Sequence, residues 1–212
     1  MEAKRSQVGW RFGSLWMLLS TVGWAIGFFM GFVLGSIISE GIFGSDVLIG
    51  EILAYFMFGA ALGSVVGLMQ WFVLRRQISR SGWWILASAA GLAVVIGAAI
   101  VVARLTDYSE GLDSFAVLFR WIVVMALGGA VIGMLQRPIL RQRVSRASWW
   151  VLASTLGWAL SIFVAGSIMV GRTAQELTLG RQIGAWFGGG ILLSVVTGVA
   201  MIWLLRQPVP KA

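Results

Sequence analysis

The chain has 212 residues, of which 59% are apolar and 11% charged, and its formal net charge is +8. Soluble domains carry roughly 25% charged residues, and a chain of this size has no interior large enough for so much apolar side chain. Composition therefore excludes a soluble globular domain and points to a bilayer. Cysteine and histidine are both absent, which excludes disulfides, thiolate metal sites and cysteine nucleophiles and removes the favoured general base and the usual metal, haem or chlorin ligand.

Lys4, Arg5 and Arg11 lead into the first uncharged run, Phe12–Ser39. That run exceeds the apolar region of about 7–15 residues found in a signal peptide, so it is read as a mature span. Ile52–Leu74 is the second span, with Val47–Gly50 ahead of Glu51 as an extension. Ser81–Ala103 is the third, and Ser114–Gln136 the fourth, with Arg120 inside it. Ala147–Gly171 and Gln182–Leu205 complete the series. Each run has about the 20 residues a helix needs to cross ~30 Å of hydrocarbon, and none alternates like a barrel strand. The predicted fold class is all-α: a polytopic membrane protein with six transmembrane helices.

The connecting segments separate by sign. The N-terminal segment, the segments after spans two and four, and the tail hold twelve of the sixteen basic residues, with Glu2 as the one acid. The opposite ends hold Glu40, Asp46, Glu51, Asp107, Glu110, Asp113 and Glu176 against Arg104, Arg172 and Arg181. The excess of basic residues on one side predicts that both termini are cytoplasmic. The basic charge is read as topology and as affinity for anionic lipid head groups, with no nucleic-acid partner expected.

A shift of 66 residues aligns Gly63–Ala93 with Gly129–Ala159, with fifteen of 31 positions identical. Both copies carry a phrase that runs from arginines into paired tryptophans, RRQISRSGWWILAS and RQRVSRASWWVLAS. A weaker third copy places Trp16, Ser20, Gly23 and Ala25 with Trp84, Ser88, Gly91 and Ala93 and with Trp150, Ser154, Gly157 and Ala159. It also places Ser194, Gly198, Leu205 and Arg206 with Gly129, Gly133, Leu140 and Arg141. The unit is a helical hairpin used three times in one orientation. The resulting segmentation is a cytoplasmic segment 1–11, hairpins 12–74, 75–140 and 141–206, and a tail 207–212. A pseudo-threefold ring about the membrane normal is the simplest arrangement, and a row of hairpins is the alternative.

The pattern W-x-x-x-S-x-x-G-x-A is carried by Trp84, Ser88, Gly91 and Ala93. The pattern G-x-x-x-G-x-x-Q-W-x-V-L-R is carried by Gly63, Gly67, Gln70, Trp71, Val73, Leu74 and Arg75. Together they resemble the tandem hairpin repeats of bacterial multi-pass membrane proteins. The sequence departs from that pattern at Arg137 and Pro138 in the second copy and at Met201 in the third. The resemblance implies the hairpin architecture and a bacterial inner-membrane location, and it implies no activity.

Glycines recur at helix-packing spacing: Gly23, Gly27, Gly31 and Gly35 in span one, Gly63 and Gly67, Gly129 and Gly133, Gly157, and Gly198 after Ser194. Small residues let helix backbones approach closely where lipid supplies little hydrophobic drive. These faces are expected to pack helices within the chain, and the long face of span one is the candidate groove for a partner helix, a lipid or a pigment tail. The paired tryptophans and their arginines, Arg75, Arg80, Trp83, Trp84, Arg141, Arg146, Trp149 and Trp150, are the candidate lipid and interface contacts. Trp24 and Trp158 lie eight residues beyond Trp16 and Trp150, ~12 Å deeper; they are expected to pack in the core, with lining of a bound hydrophobic molecule as the alternative. Arg120, Gln70 and Gln136 are the candidate intramembrane polar groups. Arg120 is expected to snorkel to the outer surface and pair with Asp107, Glu110, Asp113 or Glu51, and the glutamines to bond between helices.

The sequence contains no HExxH, no GxSxG and no phosphate-binding glycine loop. No enzymatic activity, metal or certain cofactor is expected; lipids are, and any bound pigment would lack a histidine ligand. The predicted role is a non-catalytic accessory or scaffold subunit of a larger membrane assembly, such as an energy-transducing or photosynthetic complex. Its partners would be lipids and other membrane subunits. The alternative is a small-solute transporter or channel.

Overall fold

The computed structural model describes residues 9–43, 48–78, 81–105, 115–169 and 178–207. Among these, six helices are long and apolar enough to cross a membrane, and there are no strands, so the chain is an all-α polytopic membrane protein. In chain order they are α1 (Trp10–Ser36), α2 (Leu48–Leu74), α3 (Trp83–Leu105), α4 (Phe115–Arg141), α5 (Ser148–Met169) and α6 (Leu179–Leu205). The longest have 27 residues, or ~40 Å at 1.5 Å per residue, more than the hydrocarbon requires.

Helix ends depart modestly from the hydropathy runs. α1 continues as a π-helical turn, Ile37–Phe43. α2 takes up the extension before Glu51 and starts at Leu48. α4 runs through Pro138 to Arg141, because a proline in the last turn removes only one backbone donor and leaves the rest of the helix intact. Arg137, which stands where the first copy has Trp71, leaves its buried Nε without a hydrogen-bond partner.

Consecutive helices pack on one another along the chain, and α6 also packs on α1, so the bundle is a closed ring and not a row. The repeated glycines set the closest approaches. A Cβ added to Gly63 would lie 2.8 Å from the Ala89 Cα, and one added to Gly133 would lie 2.8 Å from the Val151 Cα. These glycines seat α2 on α3 and α4 on α5. Gly198 does the same for α6 on α1, where an added Cβ would meet the Trp16 ring at 3.0 Å.

The four-glycine face of α1 is filled by α2. A Cβ added to Gly23 or Gly27 would lie 3.1 Å from an α2 Cα, at Val66 and Leu62, and one added to Gly31 or Gly35 would meet the carbonyl oxygens of Phe58 and Ala54. The face is therefore an internal seam, which corrects its reading as a groove for a partner or pigment. The outer surface is a lipid belt, with Leu18, Phe29, Phe32, Leu127, Leu156 and Val199 all more than half exposed.

Candidate functional site

The repeat places one tryptophan from each hairpin on the ring axis. Trp16 and Trp84 are fully buried and Trp150 is nearly so. Their ring centroids are 6.1 Å apart for Trp16 with Trp84, 6.1 Å for Trp16 with Trp150 and 5.4 Å for Trp84 with Trp150. These are edge-on and tilted contacts of the kind aromatic quadrupoles favour. Trp84 and Trp150 are therefore core residues, which corrects their reading as interface contacts. Within each Trp-Trp pair only the first faces outward, Trp83 and Trp149 being more than half exposed.

Each buried indole N–H finds an acceptor. Trp84 Nε1 donates to Gln70 Oε1 at 2.8 Å, and Gln70 Nε2 donates to Ser20 Oγ at 3.2 Å. One repeat later, Trp150 Nε1 donates to Gln136 Oε1 at 2.8 Å, and Gln136 Nε2 donates to Ser88 Oγ at 2.9 Å. In the third copy Met201 occupies the glutamine position, and Trp16 Nε1 donates instead to Thr197 Oγ1 at 3.2 Å, one helical turn away. Hydrogen bonds thus link α5 to α4, α4 to α3, α3 to α2, α2 to α1 and α1 to α6. Within this circuit the described side chains do not link α5 to α6, where Met201 stands in the place of a glutamine that would face Ser154.

Gln136→Leu is expected to cost about 2–4 kcal/mol, because it strands the buried Trp150 N–H and removes the donor to Ser88. Gln70→Leu should cost less, since Gln70 is only half-buried. Thermal unfolding of the two variants in one detergent checks the order.

A cavity of about 40 Å³ sits on the axis beside this circuit. Gln70, Ser88, Gln136, Ser154, Ser194 and Thr197 supply its polar wall. Trp24 and Trp158 line it too, in edge contact at 5.6 Å. No formally charged side chain lines it.

Towards the end of the bundle that carries Arg75 and Arg141, the tryptophan trio packs on Leu74, Leu140, Leu204 and Met201, all fully buried. Ile78 and Val144, from the two arginine-rich turns, complete this plug at 2% and 1% exposure. The turns are built alike: the Ile78 N–H donates to the Leu74 carbonyl and the Val144 N–H to the Leu140 carbonyl, both at 2.9 Å. Sequence reasoning missed Ile78 and Val144. The signal was there, since each is the aliphatic residue set among arginines at the same place in both copies.

The remaining candidates lie at the periphery. Arg75, Arg141 and Arg146 are exposed, and the Arg75 guanidinium sits 5.2 Å from the Trp71 ring centroid and 4.9 Å from that of Phe72. Arg80 lies outside the described residues. Arg120 is exposed and does not line the cavity. Of its expected partners, Glu51 forms an ion pair with Arg104, while Asp107, Glu110 and Asp113 lie outside the described residues. Among the described residues no three metal-ligating side chains cluster. The likeness that matters for function would have to come from relatives, and no family model, curated protein or solved structure matches the chain.

Proposed function

We propose that this integral membrane protein is non-catalytic and serves as an accessory or scaffold subunit of a larger assembly in a bacterial inner membrane, with both termini cytoplasmic. The observation that carries the reading is the plugged end of the axis. The tryptophan trio and the Ile78 and Val144 plug occupy the centre of the ring, which makes the bundle a pillar whose outer surface does the work. That surface includes a stretch of α6 where the fold makes no use of its glycines. No described atom lies within 4 Å of a Cβ added to Gly180, Gly184 or Gly188, yet glycine in a helix costs about 1 kcal/mol relative to alanine. The exposed arginines at the other end would hold anionic lipid head groups at about 1 kcal/mol each. An energy-transducing or photosynthetic complex is the kind of assembly this role suits.

Extraction in mild detergent followed by native mass spectrometry tests the reading. The chain is expected to travel with other membrane subunits, and Gly184→Leu to weaken that association while leaving thermal unfolding unchanged. Recovery solely as a free monomer from native membranes would overturn it. A second reading, an occluded state of a small-solute carrier, draws on the polar cavity between two tryptophan layers. Liposome flux that is lost in Gln136→Leu would favour it over the first.

A further inference from the structure

We infer that the axial cavity is a hydrated site, and that its water closes the hydrogen-bond circuit between α5 and α6. Volume comes first. A water needs at least ~10–15 Å³, so the cavity of about 40 Å³ has room for at least one.

The wall chemistry selects the occupant. An ion would enter with no opposite charge on the lining to offset its desolvation, which is costly this deep in a membrane protein. An apolar guest would cover buried hydroxyls and amides and gain nothing for them. Water can both donate and accept, and the wall asks for both. The Ser194 hydroxyl donates to the Gly190 carbonyl at 2.8 Å and the Thr197 hydroxyl to the Leu193 carbonyl at 2.7 Å. Their protons are spent, and both residues line the cavity from α6 with oxygen lone pairs. Ser154, 3% exposed, lines it from α5.

The repeat shows what is being replaced. Ser20 and Ser88 each receive a glutamine N–H, from Gln70 and Gln136. Ser154 occupies the third equivalent position and has Met201 in place of a glutamine. A water donating to Ser194 or Thr197 and meeting Ser154 does the work of the missing amide, and it joins α5 to α6 within the axial circuit.

The test uses the full chain in lipid nanodiscs with 15N-labelled tryptophan. Trp150 lines the cavity and its indole N–H donates to Gln136, which also lines it, so magnetisation transfer from water to that N–H is expected in the wild type. It should fall by roughly half or more in Met201→Gln, whose amide would reach Ser154 as Gln70 and Gln136 reach Ser20 and Ser88. If that variant fails to fold, Ser154→Ala is expected to weaken the same signal. Xenon under pressure should leave the Leu193 and Ile132 methyl resonances unmoved, because xenon enters dry apolar cavities. Absence of water transfer at Trp150 in the wild type overturns the inference, as do xenon-induced shifts at those methyls. A melting temperature that depends on which alkali cation is present would assign the site to an ion and overturn it as well.

Discussion

Trp84→Ala is expected to lower stability by about 3–5 kcal/mol, and Trp83→Ala, one residue away, by less than about 1 kcal/mol. Trp84 touches both other members of the trio, and its indole N–H holds the Gln70 amide. Truncation removes a large side chain from a site with no solvent exposure, and the glutamine carbonyl loses its donor. The hole would open next to the existing cavity, where neighbours have little freedom to collapse. Trp83 is 63% exposed, and its loss removes lipid contact alone. Thermal unfolding should show the difference as a gap of roughly 10 °C for a chain of this length. Equal effects would mean that the trio does not hold the ring together.

Gly63→Leu is expected to cost about 3 kcal/mol or more, because overpacking here pushes against backbone and not against a movable side chain. An added Cβ would already lie 2.8 Å from the Ala89 Cα and closer still to the Ser88 carbonyl oxygen. The rest of a leucine would force α2 away from α3, and with it Gln70 away from Trp84. Gly184→Leu, at equal helical spacing but with open space around it, should leave unfolding unchanged. Circular dichroism melts of both variants in the same detergent check this contrast.

The spans and the hairpin repeat were legible because both depend on runs of residue type. A helix must be apolar over its crossing length, and a duplicated hairpin must repeat its small residues wherever backbones meet. The division of each tryptophan pair was also within reach. Trp84 aligns with Trp16 and Trp150 in all three copies, whereas the first copy has Leu15 where the others have Trp83 and Trp149. Ser20, Ser88 and Ser154, the serines kept in every copy, are likewise buried. Reading tryptophans near helix ends as interface anchors overrode that signal. The cavity was less legible, since it depends on ring closure bringing polar residues from five helices to one point. The role of the α1 glycines depended on whether α2 or another molecule lay against them, and spacing along one helix does not say which.

The third interface of the ring differs from its counterparts in how it is made. α2 meets α3 and α4 meets α5 across a short turn, so each of those pairs can close as soon as the turn is in place. α6 meets α1 across everything between them, and the bond from Trp16 to Thr197 spans 181 positions. During synthesis Trp16 emerges first among the trio and waits longest for its acceptor, with contact order far above that of its two equivalents. The symmetry of the finished ring therefore conceals an order of assembly: two local clasps form early, and a seam closes last.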